Sequence, residues 1–158
     1  MFREMRRKDR AMPAEEAERL LAEGDWGVLA VSGDDGYPYG VPVNYGYTGG
    51  RIYVHSTSCE SHKLDGIRRN DKVSFTVVEG HDVLKEEFST AFSSVVVFGR
   101  ARIITEGPLL REAMRRMMEG LAPDMTEAAE EHCAHSMGSM AMIEITPEHI
   151  TGKARRRT

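Results

Sequence analysis

The sequence predicts a mainly β fold, an antiparallel barrel that is closed or partly open, with a few peripheral helices. Three observations carry this prediction. About six segments have the apolar or alternating character of strands. Short turns such as Thr48-Gly49-Gly50 join consecutive segments, which favours antiparallel pairing. Helical patterns are missing between most strands, and a doubly wound parallel sheet would need them there. The 158 residues are 41% hydrophobic and 29% charged, as expected for one globular domain over residues 1–158.

The elements follow in order. Residues 1–12 are polar and basic and read as a loose arm. From Pro13 a helix begins, with glutamates crowding its start and Ala17, Leu20 and Leu21 on one face; Gly24 closes it. Trp26 to Val31 reads as a buried strand, followed by turn chemistry over residues 32–36. A second strand runs from Tyr39 to Tyr47. Pro42 inside it cannot donate to a ladder, so this strand belongs at an edge or a bulge. In Arg51 to His55, Ile52 and Val54 alternate with Arg51, Tyr53 and His55. Ser61 caps a short helix ending near Asn70, and Lys72 to Val78 alternates again. The stretch 79–90 is polar and acidic. Ser93 to Thr105 is the longest strand, with a bulge or close backbone approach expected at Gly99. Leu110, Met114, Met117, Met118 and Leu121 mark an amphipathic helix, and a weaker one spans Thr126 to His135. Ala141 to Ile145 is the last strand, before a TPEHITGK segment and a basic tail over residues 154–158.

Several classes are excluded. Twenty-one Lys and Arg against 25 Asp and Glu give a net charge of −4, which argues against a nucleic-acid coat. No apolar run reaches membrane-spanning length, and the N-terminus lacks the apolar region of a secretory signal. With two cysteines, Cys59 and Cys133, this places the protein in the cytoplasm with no membrane partner. Dinucleotide, Walker, zincin and nucleophile-elbow motifs are absent. Cys59, His62, His132, Cys133 and His135 share only one permissible ligand spacing, so no metal is expected.

Three places remain for chemistry. Ser61-His62-Lys63 opens a helix, where unpaired N–H groups, a hydroxyl, an imidazole and an ammonium together suit a phosphate; the plain alternative is a serine cap with two solvated neighbours. His55, at a strand end beside Ser56 and Thr57, suits proton transfer or a planar polar ligand; alternatively a backbone carbonyl satisfies it. Val41-Pro42-Val43-Asn44 carries free backbone groups suited to the edge of a flat ring, or is an ordinary edge strand.

The order of these three, a strand with proline, a tight hairpin, a strand ending in His-Ser and a Ser-His-Lys helix start, resembles the pyridoxamine 5′-phosphate oxidase-like FMN-binding split barrels. Within that group it is most similar to the nitroimidazole-resistance proteins. The resemblance runs from about Arg6 to Lys153 and takes in GVLAVSGDDGYPYGVPVNYGYTGGRIYVHS, SSVVVFGRARII and ITPEHITGK.

The resemblance implies a six-stranded antiparallel Greek-key split barrel that forms a homodimer, with FMN at the subunit interface. It assigns Val41, Pro42, Val43 and Asn44 to the strand lining the flavin ring and His55 and Ser56 to its contacts. Ser61, His62 and Lys63 go to the phosphate, with His62 standing where the oxidases carry arginine. Lys153 matches a terminal Gly-Lys that reaches the flavin, with a solvated tail as the competing reading. The substrate-binding Arg and His of true pyridoxamine-phosphate oxidases have no counterpart. The expected activity is therefore reduction of a small aromatic or nitro compound, with His55 as proton donor. A non-catalytic flavin- or haem-binding module of the same fold is the alternative, in which His55, Met137, Met140 and the cysteines would serve as ligands or redox reporters.

Overall fold

A computed structural model describes residues 1–136 and 138–157, apart from the side chains of Cys133 and Ser136. The expected roles of Cys133 and Met137 therefore fall outside the described residues.

Helix α1 (Ala14–Glu23) buries Ala17, Leu20 and Leu21, while Glu15 and Glu16 occupy the first turn, where the helix dipole favours negative charge. The Gly24 N–H bonds to the Leu20 carbonyl and ends it. Strand β1 (Trp26–Ser32) turns at Asp35 and Gly36, both at positive φ, into β2 (Pro38–Asn44). The single long strand expected over residues 39–47 is two. Tyr45 leaves the ladder because its ring packs edge-on to Phe75 and its hydroxyl donates to the Leu21 carbonyl at 2.6 Å. The chain resumes as β3 (Gly46–Thr48) and turns through Gly49 and Gly50 into β4 (Arg51–Ser56).

After α2 (His62–Arg69) come β5 (Lys72–Leu84) and β6 (Ser89–Ile104), both longer than their alternation predicts. The acidic stretch is the tip of this hairpin, where pairing continues from Asp82↔Ala91 to Leu84↔Ser89. Helices α3 (Gly107–Leu121) and α4 (Thr126–Ser136) precede β7 (Ala141–Arg155), which runs ten residues past the predicted end. The TPEHITGK segment is thus strand, paired with β6. Its register shifts at Phe98/Gly99, where a Cβ on Gly99 would lie 2.5 Å from the Thr146 carbonyl oxygen. The bulge expected there is present. The two arms lie against the sheet: Phe2 stacks on Phe98 and His149, the Met12 N–H bonds to the Gly152 carbonyl, and Arg155 ends β7.

The strand order is β2-β1-β5-β6-β7-β4-β3, antiparallel throughout, with seven strands rather than six because Tyr45 divides one of them. The β5-β6-β7 meander with β4 beside β7 is a Greek key. The two edge strands, β2 and β3, are separated in sequence by Tyr45 alone, so the sheet curls until its edges meet. Among the described residues no ladder joins them, and the barrel stays split. The edge position expected from Pro42 is observed, with Pro42 opposite Val28.

One core fills the barrel, with Leu29, Ile52, Val54, Phe75, Val95 and Val97 buried. A second lies between α3 and the outer face of β4 and β7, built from Tyr53, Leu110, Met114, Met117, Met140 and Met142. Helix α3 crosses β3 backbone to backbone: a Cβ on Gly46 would sit 2.0 Å from the Met117 carbonyl oxygen. No helix among the described residues is long and apolar enough to cross a membrane.

Candidate functional site

The slit side of the barrel gathers β2, the end of β4 and the start of α2. Helix α2 is anchored by buried Leu64, Gly66 and Ile67, and a Cβ on Gly66 would press into Val31 and the Ser32 carbonyl. Ser61 caps it, its Oγ accepting the Leu64 N–H at 3.3 Å. The backbone N–H groups of His62 and Lys63, one turn too early for an intrahelical acceptor, remain at the helix start. The cap reading of Ser61 is therefore realised, and the anion-binding capacity rests with the next two residues.

His62 stacks on Tyr39 of β2, with ring centroids 3.9 Å apart, and its Nε2 lies 3.8 Å from the Asp34 carboxylate. Arg69 also grips Asp34, at 2.9 Å, and the Ser32 carbonyl, at 2.7 Å. These contacts pin α2 against the β1–β2 hairpin. Lys63 is half-buried, and among the described residues its ammonium has no ion-pair partner.

His55 faces α3 from the end of β4. Its Nε2 is 3.0 Å from the Met140 thioether sulfur. A thioether has no proton to give, so a hydrogen bond there places the proton on Nε2 and leaves Nδ1 an acceptor in the neutral ring. Burial, and then the charges of His132 and Lys63, hold the imidazole below its ordinary pKa. His55 is therefore neutral at neutral pH, a hydrogen-bonding group rather than a standing cation. It also lines a hollow of about 330 Å³ beneath α3 and α4. A larger, charge-mixed hollow of about 860 Å³ lies at the β1–β2 hairpin, bordered by Asp34, Arg69 and Lys72.

The remaining predicted residues divide. Ser56 is buried and its Oγ donates to the Ser58 carbonyl at 2.8 Å, within its own loop. Val41 and Val43 turn inward against the barrel core, whereas Pro42 and Asn44 are exposed, and Asn44 Nδ2 donates to the Asp25 carbonyl. Because among the described residues β2 pairs only with β1, alternate N–H and C=O groups along its other edge have no described strand opposite. Lys153 is not brought to this site. It lies in β7 over the Phe92 ring, 11 residues beyond Met142, which is the partner of His55. That is about 35 Å along the strand. It is strand rather than solvated tail.

Sequence reasoning missed Tyr39 and Asp34, and it named Met140 and His132 only as candidate ligands of a binding module or a metal, not as neighbours of His55. Tyr39 shares the inward period of Val41 and Val43, and that was its available signal. Among the described residues no group of three or more His, Cys, Asp and Glu could hold a metal. Cys59 instead contacts the Met140 carbonyl, and His135 the Glu131 carbonyl.

Fold and site together define a split antiparallel barrel with a polar helix start at its slit. The chain belongs to the pyridoxamine 5′-phosphate oxidase family, which it matches over residues 13–154. Over 91 residues it is 37% identical to an uncharacterised protein of Rhizobium meliloti (strain 1021). That match takes in 58% of this chain and 54% of the other, so the chain spans about half the length of the curated relative it matches. Among solved structures it resembles a candidate 5-nitroimidazole antibiotic resistance protein of Bacteroides thetaiotaomicron. The TM-score is 0.75 at 22% identity, covering 90% of this chain and 85% of that one. A FAD-binding protein of Mesorhizobium loti gives 0.69 at 23% identity, over 92% and 97%. The flavocytochrome Anf3 of Azotobacter vinelandii gives 0.80 at 20% identity, over 98% and 73%. These likenesses establish the fold.

Proposed function

We propose that the protein is a flavoprotein that binds FMN and reduces a small aromatic or nitro-bearing compound in the cytoplasm. The observation that carries the reading is the start of α2: two unpaired N–H groups and the unpaired Lys63 ammonium, beside the open edge of β2. That donor set fits a phosphate with a flat polar ring next to it. The FAD-binding and flavocytochrome neighbours support flavin as the class of ligand.

In this reading Lys63 and the N–H groups of His62 and Lys63 hold the phosphate, and Ser61 keeps them aimed by capping the helix. His62 adds a single contact, steadied by Tyr39 and Asp34. The free groups of β2 from Val41 to Asn44 meet the ring edge, and His55, with Ser56 behind it fixing the loop, donates a hydrogen bond from Nε2 to the bound compound. The flavin, once bound, supplies the electron transfer; the protein positions and shields it.

We also infer a homodimer. The outward face of β1, β5 and β6 carries Trp26, Ala30, Thr76, Val78, Val96 and Phe98, an uncharged cluster bordered on the same face by Lys72 and Arg100. Trp26, Val78 and Phe98 are 50%, 41% and 42% exposed. Uncharged aromatic-bearing patches of this kind suit association. Only a second copy could bring Lys153 near the flavin.

A second reading, a non-catalytic flavin or haem module, draws on His55 beside Met140, since both residue types ligate haem iron. The deciding measurement is the visible spectrum of the gel-filtered protein, with mass identification of any chromophore that heat releases. FMN is the expected result, eluting with a dimer. A haem spectrum favours the second reading, and a colourless protein that also fails to take up added FMN overturns both.

A further inference from the structure

We propose that the methionine-lined hollow between α3, α4 and the end of β4 binds a small, neutral, planar heteroaromatic molecule. It deepens the flavoprotein reading, and rests on it for any link to turnover, while binding itself requires no flavin.

The hollow is about 330 Å³ and is walled by Met114, Met117, Met118 and Met125, with His55 and His132 as its polar groups. That volume lies at the small end of ligand pockets, suited to one ring or two fused rings. A haem is far larger. The four thioethers are flexible and polarisable, and sulfur packs favourably against aromatic rings, so the walls adapt to differing flat outlines.

Charge narrows the class further. Among the described residues neither a carboxylate nor an ammonium lines the hollow, so an ion entering it would lose water without gaining a partner. The imidazoles can satisfy ring-edge donors and acceptors. His55 Nε2 is turned to a thioether, a weak acceptor, at 3.0 Å, and a ring nitrogen or nitro oxygen would replace that sulfur favourably. The neutral state of His55 leaves Nδ1 ready to accept from a ring N–H. The same imidazole is the polar contact of the proposed reaction, so a ring bound here lies against the group that would hydrogen-bond its reacting edge.

Benzimidazole at about pH 8, where it is uncharged, is the probe, and benzoate is its anionic counterpart of similar size. Titration would be followed by calorimetry and by NMR of methyl-labelled methionines in the full chain. Benzimidazole is expected to bind and shift methionine methyls, and benzoate to do neither. Ala128 is exposed and lines the hollow. Filling it by Ala128→Trp should weaken benzimidazole binding about tenfold or more and leave any flavin absorption unchanged. If that variant does not fold, Met125→Glu, at a residue 52% exposed, places a carboxylate at the rim and should weaken binding likewise. No benzimidazole binding at millimolar concentration, equal binding of benzoate, or indifference to these substitutions overturns the proposal. A colourless protein that takes up no added FMN but still binds benzimidazole removes the flavoprotein reading alone, and a flavin-coloured one that does not bind benzimidazole removes this inference alone.

Discussion

Tyr53 and His55 sit two residues apart on one face of β4, both turned toward α3, yet their surroundings are opposites. The Tyr53 hydroxyl donates to Glu144 at 3.1 Å, and the buried Glu144 carboxylate also meets Arg102 at 3.1 Å and Arg51 at 3.7 Å. Every strong polar group there is matched, and Tyr53 is held above its ordinary pKa chiefly by burial, then by Glu144. His55 has a thioether and a hollow. The contrast separates scaffold from site: a saturated cluster fixes β4 to β7 and β6, whereas an under-matched imidazole beside empty space is suited to meet something else.

The largest expected effect comes from breaking the support common to both. Gly46→Ala drives a methyl into the Met117 carbonyl and should destabilise by about 3 kcal/mol, the upper end of overpacking, read by urea denaturation. Binding in the hollow should fall with it, since α3 must shift. Next, Glu144→Ala strands the Tyr53 hydroxyl and should cost about 2 kcal/mol in the same assay while leaving the hollow's binding intact. Loss of binding in a folded Glu144→Ala protein would erase the distinction between the two regions. Lys63→Ala should leave the melting temperature unchanged and weaken flavin retention about tenfold. Retention equal to the parent's discredits the phosphate assignment.

The smallest effect is on pH dependence. His55 titrates below its unfolded value of about 6.5, so on acidification the unfolded chain takes up its proton first. Its contribution to stability is full above about pH 6.5 and declines as pH falls from there toward its folded value. The urea midpoint should drop between about pH 8 and about pH 5.5, and His55→Gln should flatten part of that slope. Lys63 and His132, which help burial to hold the imidazole down, remain in the variant.

Much of this fold was legible because local rules and tertiary packing agreed. Pro42 marked an edge, Ser61 a cap, Gly99 a bulge, and the methionines of α3 a buried stripe. Legibility failed where backbone pairing acted without a buried face. The tip of the β5–β6 hairpin buries neither side, with Val83 and Phe88 exposed, so its pattern carries no signal, and β7 continues through Pro147 and Gly152 because β6 runs beside it. Tyr45 broke its strand for a hydroxyl bond to a helix carbonyl that no local pattern announces. Of the site, the helix start and His55 were readable as chemistry. The hollow was not, since Met114 and Met117 are buried core residues and also its walls.

The pairing of β4 with β7, from Ile52↔Ile145 to Ser56↔Ala141, also has a temporal side. A nascent chain makes the β3–β4 hairpin early but must emerge as far as residues 141–145 before β4 gains its second neighbour. Until then Ile52, Val54 and the open backbone of β4 are exposed to any passing strand, a hazard that chaperones meet during synthesis. Such distant pairing slows folding, since loop closure must precede the contacts that reward it. The slit barrel is thus completed late, and the wall of the hollow formed by α3 and α4 is synthesised after the end of β4 that it covers but before the β7 segment that pairs with that end.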